Sequence, residues 1–423
     1  MLPSEPFLFA ASAATMPQPY VKWSIEPARA QDVPAAIARA AYVAASRPMG
    51  PAFVSVPEDD WAAQTQAVPA RSVRDEIAPD PLALDDVRAA IERARKPAIV
   101  AGAGVDRDGA TTLAVELAER IGARVWSSAL TGRCGFPEDH ARFEGALPRS
   151  RAGVVETLRG CDFVLVLGAP VFNYHVHSEG PFIDDGTTVV QLTDDPSAAS
   201  YAVVGTSVIT TLRPALEALL AALPARAVQR PPARERTASA AGDPIAIEYL
   251  LDVVRRTMPG DAILVEEAPA VHSVLHDCGL LQPGRFFTCA SGSLGYGLPA
   301  AIGASLAAPG RAIVALLGDG SSYYGIQALW NAAQERLPIV FVIVNNASYG
   351  AMNSFGAMLA GGKPTPSFEI AGTDFVALAA GFGVTGSRVA RAADLEPVLR
   401  DALATRAPHL LDVVIDASPR HIR

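Results

Sequence analysis

Two short polar runs stand out for the chemistry their residue types allow: Gly318-Asp319-Gly320-Ser321 and, further on, Asn345-Asn346. Each follows an apolar run, Ile313–Leu317 for the first and Ile339–Val344 for the second, and a helical pattern lies between them. If both runs are strands of one parallel sheet, both motifs fall at its carboxyl edge, where α/β proteins bind ligands. Magnesium takes near-octahedral oxygen ligands and few protein carboxylates, the rest of its shell coming from phosphate and water. Asp319 offers one anionic oxygen, Asn346 a neutral amide oxygen, and the Ser348 backbone carbonyl a third. Gly318 and Gly320 would let the backbone approach a diphosphate. Amides at the start of a helix after Ser321 could donate to it.

The elements that must position these residues are legible as alternation. Near-continuous apolar runs at Pro97–Ala101, Arg124–Ser127, Phe163–Leu167, Thr188–Leu192, Ile313–Leu317, Ile339–Val344 and Leu410–Ile415 read as strands covered on both faces. Amphipathic patterns at Leu84–Ala94, Ala110–Ile121, Thr211–Ala222, Tyr324–Glu335 and Leu395–Ala404 read as helices. The order predicts an α/β protein with doubly wound parallel sheets. Two polar connections, near Ala62–Ser72 and at Pro224–Asp243, divide the chain into 1–70, 71–240 and 241–423. The first piece holds only a helix near Val33–Ala45 and a strand at Ala52–Pro57, too little core for an independent domain.

Bulk properties narrow the partners. The chain has 423 residues and a net charge of -9, with no basic run, which argues against nucleic acid or an anionic membrane surface as partner. The four cysteines, Cys134, Cys161, Cys278 and Cys289, are scattered, which suits reduced thiols and a cytoplasmic location. The apolar stretch Phe7–Ala14 is preceded by Glu5 rather than by a basic residue, so it does not read as a signal peptide. The charge balance is neutral on small-molecule chemistry.

The segment from Gly318 to Gly350, GDGSSYYGIQALWNAAQERLPIVFVIVNNASYG, is similar to the diphosphate-binding motif of thiamine-diphosphate enzymes. Four further stretches resemble the benzoylformate decarboxylase branch of that family, in its order: VKWSIEPA (Val21–Ala28), GPAFVSVPEDDW (Gly50–Trp61), GAPVFNYH (Gly168–His175) and GSLGYGLPAAIG (Gly292–Gly303). The resemblance implies two complete doubly wound domains preceded by a partial third. It implies thiamine diphosphate and Mg2+ as cofactors, a 2-keto acid as substrate with benzoylformate the leading candidate, and carbanion chemistry supplied by the cofactor. It also implies a homo-oligomer, a dimer of dimers.

Residue by residue, the resemblance makes Asp319, Asn346 and the Ser348 carbonyl the metal ligands. It puts Ser321, Tyr324 and Tyr349 at the diphosphate. Leu294 matches the apolar wedge that bends the cofactor, and the Gly292 carbonyl matches the acceptor for its amino group. His175 matches a proton-transfer histidine, whereas His177 matches nothing. Phe355 matches a pocket aromatic. Thr288 stands where the family has another aromatic, which implies a roomier or more polar pocket. Ala268-Pro269-Ala270 replaces a hydroxyl-rich stretch near the diphosphate.

Of the family's first domain only Pro19–Trp61 has a counterpart, and the glutamate that activates the cofactor has no match; Glu5 carries no motif that would make it a substitute. The expectation is a gene fragment, with a split enzyme or a non-catalytic cofactor-binding chain as alternatives. Another thiamine-diphosphate carboligase or decarboxylase is the alternative within enzymes. Gly102-Ala103-Gly104 after a strand invites a dinucleotide reading, but Arg107 breaks the GxGxxG spacing, and a tight strand-to-helix turn is the simpler expectation.

Overall fold

A computed structural model describes residues 10–175, 177–224, 232, 239–360, 368–370 and 372–417. Three parallel sheets follow one another along the chain. The first pairs β1 (Trp23–Ile25) with β2 (Ala52–Val54), and the helix Val33–Ala45 crosses between them. The second has six strands: β3 (Pro97–Ala101), β4 (Arg124–Ser127), β5 (Phe143–Ala146), β6 (Phe163–Leu167), β7 (Thr188–Thr193) and β8 (Thr206–Ile209), in the order β5-β4-β3-β6-β7-β8. The third also has six: β9 (Ile263–Glu267), β10 (Phe286–Thr288), β11 (Ile313–Gly318), β12 (Ile339–Asn345), β13 (Thr385–Val389) and β14 (His409–Val414), in the order β10-β9-β11-β12-β14-β13.

The apolar runs form strands because helices cover both faces of each large sheet. Alternate residues of one strand enter different cores: Val314 and Leu316 join one cluster, Ile313, Ala315 and Leu317 another. The inner strands β3, β6, β9 and β12 are buried at every position. No polar alternation marks such strands, as expected where neither face meets water. The seven strands read from sequence in the two large sheets all occur, with ends moved by a residue at most.

Three sequence expectations need correction. The helix expected over Tyr324–Glu335 forms only over Ala328–Gln334; Ser321–Gly325 close as turns instead, and Tyr324 is exposed. The strand expected over Ala52–Pro57 ends at Val54. No helix starts directly after Ser321; a single helical turn starts at Asp319 itself, and the next helix begins at Ala328. Most of the connection Pro224–Asp243 lies outside the described residues. Gly102 and Gly104 serve close packing: a Cβ on Gly102 would lie 2.5 Å from the Ala169 Cβ, and one on Gly104 2.7 Å from the Gly168 Cα.

Contacts cross between the sheets. Arg47, from the first segment, reaches Asp108 at 2.5 Å and Asp194 at 2.9 Å, both buried in the second. Loops after β4 reach the third: the Glu138 amide donates to the Leu281 carbonyl, and Thr288 donates to the Gly132 carbonyl. Among the described residues no helix is long and apolar enough to cross a membrane.

Candidate functional site

β9, β11 and β12 are neighbours and parallel, so the loops after Glu267, Gly318 and Asn345 open at one edge. Register pairs Gly318 with Val344, which places Asp319 beside the Asn345-Asn346 turn. The Asp319 carboxylate is 3% exposed. Its Oδ1 accepts the Gly320 amide at 2.7 Å and its Oδ2 accepts the Ser348 amide at 3.2 Å. The same Ser348 amide donates to the Asn346 Oδ1 at 3.1 Å. One N–H therefore gathers the Asp319 and Asn346 oxygens, and each keeps lone pairs free for a further partner. The Ser348 carbonyl accepts the Gly350 amide at 2.9 Å and keeps one lone pair.

Burial pushes the Asp319 carboxyl up to about 6, against backbone amides that favour its ionised form. An anionic oxygen held in a dry place, with no cationic side chain paired to it among the described residues, is what a divalent ion would stabilise. Among the described residues no three His, Cys, Asp or Glu side chains converge as a metal cage. The oxygens present are one carboxylate, one amide and a carbonyl, which fits Mg2+ completed by phosphate and water better than zinc.

Around this pair the other expected residues take distinct places. Ser321 is buried, Gly318 is half-buried, and the Ser322 hydroxyl donates to the Gly318 carbonyl at 2.8 Å. Gly320 is required by packing: a Cβ there would lie 2.5 Å from the Tyr349 ring, whereas one on Gly318 would meet nothing closer than 3.3 Å. The Tyr349 phenol is pushed up by burial and by its neighbour Tyr324. Gly320→Ala should therefore displace Tyr349, at a cost of about 1–3 kcal/mol for the overpacking. A lowered denaturation midpoint together with weaker diphosphate binding is expected; an unchanged midpoint would refute the close contact.

Gly292 and Leu294 lie in the loop before the helix Gly297–Ala307, Gly292 exposed with φ +74° and Leu294 half-buried. Two interactions fix that loop. Glu267 accepts the Gly295 and Gly297 amides at 2.5 and 2.6 Å. Gly295 lies against Tyr324, whose carbonyl would be 3.0 Å from a Cβ there. The Leu294 loop thus abuts the Gly318–Tyr324 loop. His175 follows β6 and is exposed; its ring meets Phe355 edge-on at 5.0 Å, and its amide donates to the Arg149 carbonyl at 2.8 Å. His177 is exposed. Thr288 is buried and donates to Glu266 at 2.7 Å.

Sequence reading missed Glu266 and Glu267, which end an apolar strand and are both under 5% exposed. Paired acids closing a buried run were the available signal, since a buried carboxylate needs partners. It also missed His272 and His276, and Arg149, which the contact between the second and third sheets brings to the cavity beside Thr288. His272 and His276, four apart, were visible as a possible helix face.

Fold and loops together define an α/β protein that presents its polar groups at the carboxyl ends of adjacent parallel strands. Residues 84–219 match the domain described as thiamine pyrophosphate enzyme, central domain, and 271–413 that described as thiamine pyrophosphate enzyme, C-terminal TPP binding domain. Benzoylformate decarboxylase of Pseudomonas aeruginosa is 40% identical over 98% of this chain and 79% of its own length. The crystal structure of benzoylformate decarboxylase from Polynucleobacter necessarius superposes with a TM-score of 0.92 at 34% identity, over 99% of this chain and 80% of that one. The thiamine diphosphate-dependent 4-hydroxybenzoylformate decarboxylase of Rhodococcus jostii gives 0.89 at 38% identity, over 96% and 79%. The chain belongs to the thiamine-diphosphate-dependent enzyme family and is closely related to its benzoylformate decarboxylases.

Proposed function

We propose that this protein carries out the non-oxidative decarboxylation of an aromatic 2-keto acid, benzoylformate first, with thiamine diphosphate and Mg2+. The observation that carries the reading is the meeting of the Asp319 and Asn346 oxygens on one amide, beside the clamped loop that bears Leu294. When bound, the cofactor supplies an electron sink for the carbon–carbon bond that breaks. Asp319, Asn346 and the Ser348 carbonyl would hold the ion; Ser321, Tyr324 and Tyr349, with the glycine backbone, would hold the diphosphate. Leu294 would press on the cofactor's bend and the Gly292 carbonyl would accept its amino group. Phe355 and Thr288 would line the substrate pocket.

His175 sits on a loop beside Phe355, open to solvent, where an imidazole can give or take a proton. Removing a positioned acid–base group typically costs about 10²–10⁴ in rate. His175→Ala should lower kcat on benzoylformate within that range while leaving cofactor affinity intact. The test of the whole reading is carbon dioxide and benzaldehyde release from benzoylformate, dependent on both cofactors. A protein that binds both and decarboxylates no 2-keto acid would remove the reaction assignment.

A further inference from the structure

A line of buried ionisable groups crosses from the second sheet to the third. Glu138 accepts from the Ser127 hydroxyl at 3.4 Å and faces the His276 Nδ1 at 2.6 Å. The His276 Nε2 lies 3.4 Å from the His272 Nε2. The His272 Nδ1 lies 3.2 Å from the Glu266 Oε2, which also accepts the Thr288 hydroxyl at 2.7 Å. Side-chain exposure is 0% for Glu138, 3% for His276, 12% for His272 and 2% for Glu266. Thr288, Glu266 and His272 line one small cavity with Arg149 and Gly292.

Proton bookkeeping limits what this line can be. An ionised carboxylate only accepts, so each Nδ1 facing one carries a hydrogen. Both Nε2 atoms are then left with lone pairs, and the two face each other at hydrogen-bond distance. That contact is attractive only if one proton lies between them, making the pair an imidazole–imidazolium. Its charge and that of Arg149 balance the two buried carboxylates. No side chain among the described residues forms an ion pair or hydrogen bond with the Arg149 guanidinium, which acts on Glu266 through space and is itself pushed down by burial.

The surrounding charges favour His276 as the holder. Burial works against a charged His276, but Glu138 outweighs it and holds the ring above its ordinary value. Burial wins at His272 and pushes it down. Burial opposes ionised Glu266 too, yet the bonds from His272, Thr288 and the Ala268 amide outweigh it. Arg149 repels both rings. Cys134, next to Glu138, is pushed well up by burial and stays neutral. Glu267 adds a like charge beside Glu266.

We propose that the His276–His272 pair is a buried proton store, and that Glu266 and the Thr288 hydroxyl deliver its proton to the cavity beside Gly292. Decarboxylation of a 2-keto acid anion to an aldehyde takes up one proton per turnover. The bond to the carboxylate carbon breaks, its electron pair stays on the keto carbon, and a new C–H bond forms there. In the relay the proton passes from the His276 Nε2 to the His272 Nε2. The Nδ1 proton of His272 passes to Glu266, Glu266 passes it to Thr288, and the Thr288 hydroxyl proton goes to carbon. The store refills from solvent by the reverse path. The destination rests on the decarboxylation reading; the shared proton does not.

Nitrogen-15 NMR of histidine-labelled whole chain, with and without cofactors, reads the store directly. Near pH 7 one ring should carry protons on both nitrogens and a second only on Nδ1, and both signals should change in His276→Gln and His272→Gln. Two neutral rings that titrate independently would overturn the store. Turnover of benzoylformate reads the delivery. Glu266→Gln should lower kcat about 10²-fold or more with KM little changed, and should remove the fall in kcat expected at alkaline pH where the store empties. Thr288→Val, which leaves the histidines and carboxylates in place, should act in the same direction. An unchanged kcat and pH profile in both variants would overturn the relay. A protein that turns over no 2-keto acid would end the delivery step along with the reading above, while the NMR result would still decide the store.

Discussion

Asp319→Asn should abolish Mg2+-dependent binding of thiamine diphosphate, weakening it by about 100-fold or more, without destabilising the cofactor-free protein. Substitutions at partners that only orient a metal's ligands already cost about 10–100-fold in affinity, and Asp319 supplies the one carboxylate among the three proposed ligands. The second half of the expectation separates function from folding. Burial holds the Asp319 carboxyl at about 6, above its ordinary 3.8. A carboxyl whose pKa is raised on folding contributes stability that is complete below the unfolded value. That contribution is lost as pH rises through the folded one. At pH 8 the ionised group costs the unliganded protein about 3 kcal/mol at most. The amide carries no such cost and keeps an acceptor for one of the two amides that Asp319 now holds. Calorimetry with Mg2+ and cofactor reads the first half and thermal unfolding at pH 8 the second. A variant that binds normally contradicts the site; one that unfolds far earlier gives Asp319 a structural role instead.

Glu267→Ala should be the most destabilising single change near the site, by about 2–4 kcal/mol, because it strands buried amides. The carboxylate is 4% exposed and accepts the Gly295 and Gly297 amides. Burial still raises its pKa despite those bonds and one from the Tyr296 amide, so relief of the buried charge offsets part of the loss. Functionally, the clamp holds the Gly292–Gly297 turn against Tyr324. The alanine variant should bind cofactor at least about tenfold more weakly where it remains folded, since a loosened loop must be ordered on binding. Glu267→Gln, which retains one acceptor, should lie between the two. Urea midpoints of the three proteins check this, and equal midpoints would contradict the clamp.

Much of the fold was legible as pattern. Most strands from β3 to β14 that are buried on both faces read as apolar runs, because nothing on either side calls for a polar residue; β9, which ends in Glu266-Glu267, was not read. Edge strands were not legible. β5, β8, β10 and β13 are short or broken by polar residues, and they are strands only because a neighbour offers its backbone. The helix expected from Tyr324 fails for a related reason: its first turn is taken up by contacts with Gly295 and by the turns that follow Ser321.

The sequence by itself determined the parallel α/β class, the two strand tips that carry Asp319 and Asn346, and the family resemblance. These depend on residues near one another in the chain, where spacing and strand period set geometry. Only the tertiary structure decided that one Ser348 amide gathers both oxygens, that His175 meets Phe355, and that Glu138 reaches His276. Those contacts join segments far apart in sequence, and burial rather than spacing selects them. A buried charge must find its partner wherever packing places one.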